Sequence, residues 1–279
     1  MSMEKKKNRR LIILACVLLL LAAFALSPVF PYVRSLAVMK VYSPYCAKSS
    51  IMAEQNIELE IPSGDGWYPF VMTYEADEDF SSYIGRPDTK LTILYNFPAF
   101  SLKNGCSRFF DESSAYYNSF YGAYLVRCAD GEPFGFSLDM RNPDEKAVSE
   151  IAKFDFFTLV LNDFGLTPNE QVFEYSLACE QTDVSFLGYD GWTQISSDLN
   201  VNGANHEKRG FTSSYLQYGS PSFPVSSDFA PVKMKSIVYA KYFPEWGTAV
   251  FFYVMSPSED VCENCVQTIL SRSILKSRE

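Results

Sequence analysis

KSIVYAKYF (235–243), PEWG (244–247) and TAVFFYVM (248–255) stand directly before SPSEDVCENCVQTILSRSILK (256–276). Two runs rich in β-branched and aromatic residues around a four-residue connection containing Pro and Gly predict a β-hairpin. Ser256-Pro257-Ser258-Glu259 joins a capping box to a proline suited to a first helical turn, which predicts a helix starting at Ser256. Val261, Cys262, Cys265, Val266, Ile269 and Ile274 share one face of that helix. A stripe of this kind has to be buried, and the adjoining hairpin is the nearest sheet. The fold class that follows is α+β: a mostly antiparallel β-sheet with few helices, including a C-terminal helix packed on a β-hairpin, preceded by one N-terminal transmembrane helix.

Upstream, NIELEIP (56–62) alternates apolar and acidic residues with period two, as a half-buried strand does. GWYPFVMTYE (66–75), KLTILYNF (90–97) and FYGAYLV (120–126) extend the β pattern. NPDEKAVSEIAK (142–153) predicts a helix, with Asn142 as cap, Pro143 in the first turn and Val148, Ile151 and Ala152 as its apolar stripe. FDFFTLVL (154–161) and VFEYSLA (172–178) are short and β-rich and do not read as helices, while residues 196–227, rich in Ser, Asn and Gly, read as long loops with at most an edge strand.

The N-terminus carries the targeting information. Lys5, Lys6, Lys7, Arg9 and Arg10 precede LIILACVLLLLAAFAL (11–26), a run without a polar side chain. At 1.5 Å per residue it covers about 24 Å, and the softer continuation brings it near the ~30 Å of a hydrocarbon core. The organisation expected is a cytoplasmic basic flank (1–10), a transmembrane signal-anchor (11–33), a juxtamembrane linker (34–55) and an extracytoplasmic α+β domain (56–279), with a division into two subdomains near 166–180 as the alternative. Partnership with a lipid bilayer through the N-terminal helix follows. The rival is secretion after signal-peptide cleavage, because Ala23 and Ala25 supply an A-x-A site.

With 47% apolar and 20% charged residues the chain is globular, and its formal charge of −9 includes a basic N-terminus, so the body is more acidic than the total. An acidic body excludes nucleic acid as a partner held by a basic patch. Cys16 falls within the apolar run, leaving six exported cysteines: Cys46, Cys106, Cys128, Cys179, Cys262 and Cys265. An even number in an oxidising compartment predicts a disulfide framework, with Cys106 and Cys128 as the most local pair. Cys262-Glu263-Asn264-Cys265 is a C-x-x-C, read as structural; thiol–disulfide chemistry is the alternative.

Asp-Gly-Trp occurs twice, in PSGDGW (62–67) and LGYDGW (187–192). Both are expected to be tight turns, since Asp-Gly tolerates positive φ and neither supplies the D-x-D-x-D ligand spacing of a calcium loop. EADED (75–79) reads as a solvated loop. His206 is the single histidine, too few for a multi-histidine zinc site, and no metal or cofactor is expected. GFSLD (135–139) lacks the second glycine of a nucleophile elbow, and the Asp111–Glu112 pair carries no separation that would assign it to hydrolysis. Tyr116, Tyr117, Tyr121 and Trp192 are the candidate aromatics for ligand contact. The function expected is a non-enzymatic binding or envelope-associated module contacting an extracytoplasmic protein or envelope ligand; the alternative is an extracytoplasmic enzyme, either a carboxylate-based hydrolase or a thiol oxidoreductase using Cys262 and Cys265.

Overall fold

The computed structural model describes residues 2–27, 30–101, 106–137, 143–160, 166, 168–203 and 229–278. In chain order the helices are α1 (Ser2–Ala25), α2 (Phe30–Ser49), α3 (Ile51–Glu54), α4 (Asp77–Ile84), α5 (Glu145–Phe154) and α6 (Glu259–Thr268). The strands are β1 (Ile57–Glu60), β2 (Met72–Glu75), β3 (Thr89–Asn96), β4 (Phe100–Ser101), β5 (Cys106–Ser107), β6 (Phe120–Cys128), β7 (Phe173–Phe186), β8 (Tyr189–Asn202), β9 (Pro231–Phe243), β10 (Thr248–Ser256) and β11 (Ile274–Ser277). Seven strands form one antiparallel sheet in the order β2-β3-β6-β10-β9-β8-β7, and β1 pairs with β11 in a separate two-stranded ribbon. The chain is α+β. Its N-terminal helix α1 is long and apolar enough over Asn8–Ala25 to cross a membrane.

The central strands are buried on both faces. β10 reads TAVFFYVMS, with every residue buried, because it lies between β6 and β9 with helices above and below. One face carries Leu91, Tyr95, Phe120, Tyr124, Phe251 and Tyr253, packed under α2, α4 and α5 through Met39, Phe80 and Ile151. The other carries Leu94, Tyr121, Leu125, Val250, Phe252 and Val254 under α3, α6 and the β1–β11 ribbon. Gly122 in β6 is a glycine for steric reasons, since a Cβ there would stand 1.7 Å from the Leu94 carbonyl oxygen.

The C-terminal unit has the expected form, with α6 on the β9–β10 hairpin. Its helix starts two residues later than the capping box suggests. Ser258 is the N-cap and accepts from the Val261 N–H, whereas Ser256 stays in β10 and shares a hydrogen bond with Ser119 Oγ at 2.7 Å. The helix ends at Thr268, so Ile274 belongs to β11 rather than to its apolar face. α5 likewise starts later, capped by Asp144 with Asn142 outside the described residues.

Four further readings are corrected. FDFFTLV (154–160) is helical, with Leu161 outside the described residues: α5 runs into a π-helical turn, Asp155–Val160, and the aromatic content reflects burial rather than strand. Residues 196–202 continue the long strand β8, and 204–228, including His206, lie outside the described residues. EADED is not a loop: Glu75 ends β2 and Asp77, Glu78 and Asp79 open α4, with Asp77 Oδ1 accepting from the Leu91 N–H at 2.9 Å. The segment expected as a linker contains α2 and α3, and α2 packs along β2.

Candidate functional site

β8 alternates in a way that composition hid. Ile195, Leu199 and Val201 point into the core, while Gln194, Ser196, Asp198 and Asn200 project from the opposite face. Helix α6 covers β9 and β10 on that opposite face but, among the described residues, nothing covers the β7–β8 flank. Two clefts result. One, of about 490 Å³, lies between the flank and α6 and is lined by Cys179, Gln194, Ser196, Lys235, Glu259 and Glu263. The other, of about 570 Å³, continues past Lys235 over Glu174, Ser176, Asp198, Asn200 and Lys233.

The floor is organised by two polar contacts. Lys235 Nζ pairs with Asp198 Oδ1 at 2.5 Å, which raises the lysine pKa, and Asn200 Nδ2 donates to Glu174 Oε2 at 2.8 Å. Both contacts run between neighbouring strands, so they fix the side chains across the flank rather than along one strand. With Glu259 and Glu263 on the α6 wall and Lys233 and Lys235 on the floor, the surface offers amide, hydroxyl, carboxylate and ammonium groups.

β7 forms the outer border. The backbone N–H of Asn202 donates to the Val172 carbonyl at 3.3 Å, and Phe173 stands opposite Val201, so Glu174 and Ser176 direct their amides to β8. By the same alternation the backbone groups of Phe173, Tyr175 and Leu177 point away from the sheet, and among the described residues no strand pairs with them. Residues 176–183 are all exposed, and irregularities follow at Leu177/Cys179 and Gln181/Val184.

The aromatic candidates divide. Trp192 and Tyr121 are completely buried, packed against Phe186, Phe243 and Phe252 in the first case and against Trp67 in the second, so they are core residues and not ligand platforms. Tyr116 and Tyr117 are half-buried in the loop before β6; Tyr116 meets Trp67 edge-on, and the Tyr117 hydroxyl lies beside Gly203, just past the end of β8. The first Asp-Gly-Trp is the expected turn, with Gly66 at φ 88°. The second is not: the β7–β8 hairpin turns at Leu187-Gly188, both at positive φ, and Asp190-Gly191 lies inside β8 where its register with β7 slips.

The expected disulfide framework is absent among the described residues, where Cys46, Cys128, Cys179, Cys262 and Cys265 are free thiols. Cys106 opens β5 with its side chain outside the described set. Cys128 packs on one face of the sheet and Cys262 and Cys265 on the other, so the sheet separates them. Cys262 and Cys265 also sit well inside α6, where side chains three apart are about 5–6 Å between Cβ atoms, wider than a disulfide tolerates. Burial pushes the Cys262 thiol up to about 12 and holds Cys265 well above the ordinary thiol range. Thiols kept protonated in this way are poor nucleophiles. Asp111 is engaged in a local turn, accepting from the N–H and hydroxyl of Ser113.

Two buried acids escaped the sequence reading. Asp155, at the α5–π-helix junction, is completely buried and accepts from the Tyr124 hydroxyl at 2.5 Å; burial raises it to about 7. Tyr124 stacks on Tyr253 with ring centroids 4.2 Å apart. Glu75 ends β2 beneath the α2–α3 junction, where burial raises it to about 8 beside the Thr92 hydroxyl. The signal for Asp155 was a lone carboxylate inside an apolar run. Glu75 was hidden in an acidic cluster. Neither borders the open clefts, and no group of three or more metal-ligating side chains occurs among the described residues.

No family model matches this chain, and neither a curated protein nor a solved structure does.

Proposed function

We propose that this chain is a single-pass, membrane-anchored protein whose extracytoplasmic domain is a non-enzymatic binding module, with the β7–β8–β9 flank as its ligand surface. The observation that carries this reading is the open polar flank itself: a broad sheet face, walled on one side by α6 and left uncovered by the other described residues. Sheet faces of antiparallel folds are polar when they meet solvent, but clefts of several hundred cubic ångströms with strand-to-strand fixed side chains are the size and form of a binding site. The basic residues before the apolar helix support a cytoplasmic N-terminus and an exported domain. The protonated, buried state of Cys262 and Cys265 argues for packing and against thiol catalysis.

The test places a photo-crosslinking amino acid at Ser196, on the cleft floor, and separately at Tyr83, exposed on α4, in cells carrying the full chain. Discrete adducts from position 196 that are absent from position 83, together with digestion of the domain by protease added outside, are the expected result. Equal or absent crosslinking at the two positions, or protection of the domain from external protease, contradicts the proposal.

A further inference from the structure

Resting on the binding reading, we infer that the outer edge of β7 takes an extended polypeptide segment with alternating apolar and basic residues as an additional strand of the sheet. Three observations carry it. First, β7 is a fourteen-residue edge strand, and among the described residues the outward backbone groups of Phe173, Tyr175 and Leu177 have no strand partner. Edge strands that avoid such pairing are short, bulged, or carry charge or proline; β7 has no lysine or proline, and its bulges fall beyond Leu177, leaving Glu174 as the only charge in the section before them. Its 173–177 section keeps regular register with β8 before the first irregularity, so this is the length that can template a partner.

Second, the two faces of this section differ in chemistry. Phe173 and Tyr175 lie on the core face, where Phe173 meets Phe157 edge-on at 6.1 Å, while Glu174 and Ser176 lie on the cleft face. A strand added here would set its own alternate side chains beside these two rows, apolar next to Phe173, Tyr175 and Leu177, polar next to Glu174 and Ser176. Third, the charge is one-sided. Glu174 is the one charged residue of the 173–177 section, and Glu180 and Asp183, farther along β7 beyond its first irregularity, are acidic as well. That arrangement repels a second copy of β7 and favours lysine or arginine on the incoming strand. Main-chain hydrogen bonds would supply affinity and the alternating rows would supply selectivity.

The experiment uses the full chain in nanodiscs of zwitterionic lipid and, as probe, a fluorescent peptide of about nine residues alternating valine and lysine, a length typical of one strand. Controls are the valine–glutamate counterpart and the valine–lysine peptide with alternate backbone nitrogens methylated. Saturable binding of the valine–lysine peptide is expected, weakened at least about tenfold by either control, as loss of several hydrogen bonds or reversal of charge requires. Glu174→Lys with Glu180→Lys should reverse the preference between the lysine and glutamate peptides. Leu177→Pro, which removes one outward N–H, should weaken both. Should Leu177→Pro fail to fold, the charge-reversed chain still decides the matter through the swap in preference. Binding insensitive to N-methylation, a preference unmoved by charge reversal, or no binding to the wild-type chain overturns the inference. Loss of peptide binding with crosslinks from position 196 retained would remove strand addition and leave the binding reading standing.

Discussion

β2 and β7 close the two ends of one seven-stranded sheet, yet β2 is four residues long and roofed by a helix, whereas β7 runs fourteen residues with its outward backbone unpaired among the described residues. At the β2 end, Thr73 N–H points outward and donates to Ser43 Oγ at 2.9 Å, and one turn along α2 the Cys46 thiol lies against the backbone of Glu75. Two side chains spaced by three on α2 therefore satisfy the edge of β2 much as another strand would. Tyr42 against Tyr74 and buried Met39 complete the seal. No comparable helix lies along β7 among the described residues. The difference teaches that the helix following the apolar segment is part of the fold at one edge, whereas the opposite edge keeps its outward backbone groups unpaired among the described residues.

The largest effect expected from testing this contrast lies at the root of the open flank. Trp192→Ala removes a buried indole between Phe186, Phe243 and Phe252 and should cost about 3–5 kcal/mol in denaturant unfolding, the range for deleting a core aromatic. A change in ligand binding at unaltered stability would instead make Trp192 a surface residue.

Next comes pH, which acts on the sealed edge. Glu75 has a folded-state pKa of about 8 against an ordinary 4.5, and Asp155 about 7 against 3.8, both from burial. Because folding raises these values, their contribution is fully present below the unfolded pKa and is lost as pH rises through the folded one. Unfolding free energy should therefore fall between about pH 5 and pH 8.5, by roughly 1–3 kcal/mol for Glu75 after allowance for its partial exposure. Glu75→Gln should flatten that slope, and circular dichroism melts across the range would show it; a slope unchanged by Glu75→Gln and by Asp155→Asn contradicts the assignment.

Ser43→Ala should cost about 1–2 kcal/mol, since it leaves the Thr73 N–H without its acceptor under α2. A matching change on β7, Cys179→Ser, should stay within about 0.5 kcal/mol because that side chain is exposed. Parallel chemical denaturation of the two variants checks the asymmetry, and equal effects would erase it.

Much of this fold was legible because its strands are strongly patterned. KLTILYNF, FYGAYLV and the 235–255 hairpin became β3, β6, β9 and β10, and the stripe Val261, Cys262, Cys265, Val266 and Ile269 became the buried side of α6. The errors have physical causes. FDFFTLV (154–160) carries strand-forming aromatics because it is a buried helical turn, and the Ser- and Asn-rich stretch of β8 looks like a loop because one of its faces is uncovered among the described residues. Residues 34–55 read as a linker since their helix is stabilised by packing on β2, which is a tertiary contact. The candidate site was the least legible part. That β7 stands at an edge, and that α6 stops short of it, are properties of strand order and helix placement, and no spacing within VFEYSLA encodes them. Trp192 and Tyr121 were nominated for aromatic character alone, which is the same character that fills the core.

Residue-resolved hydrogen exchange on the full chain in its native state tests the central claim most directly. The account predicts slow exchange at Thr73, whose amide is held by Ser43, and an alternation on β7 in which Glu174 and Ser176 exchange slowly while Phe173, Tyr175 and Leu177 exchange quickly. Phe173, Tyr175 and Leu177 protected as strongly as Glu174 and Ser176 would mean that the β7 edge is already paired, and would contradict the account.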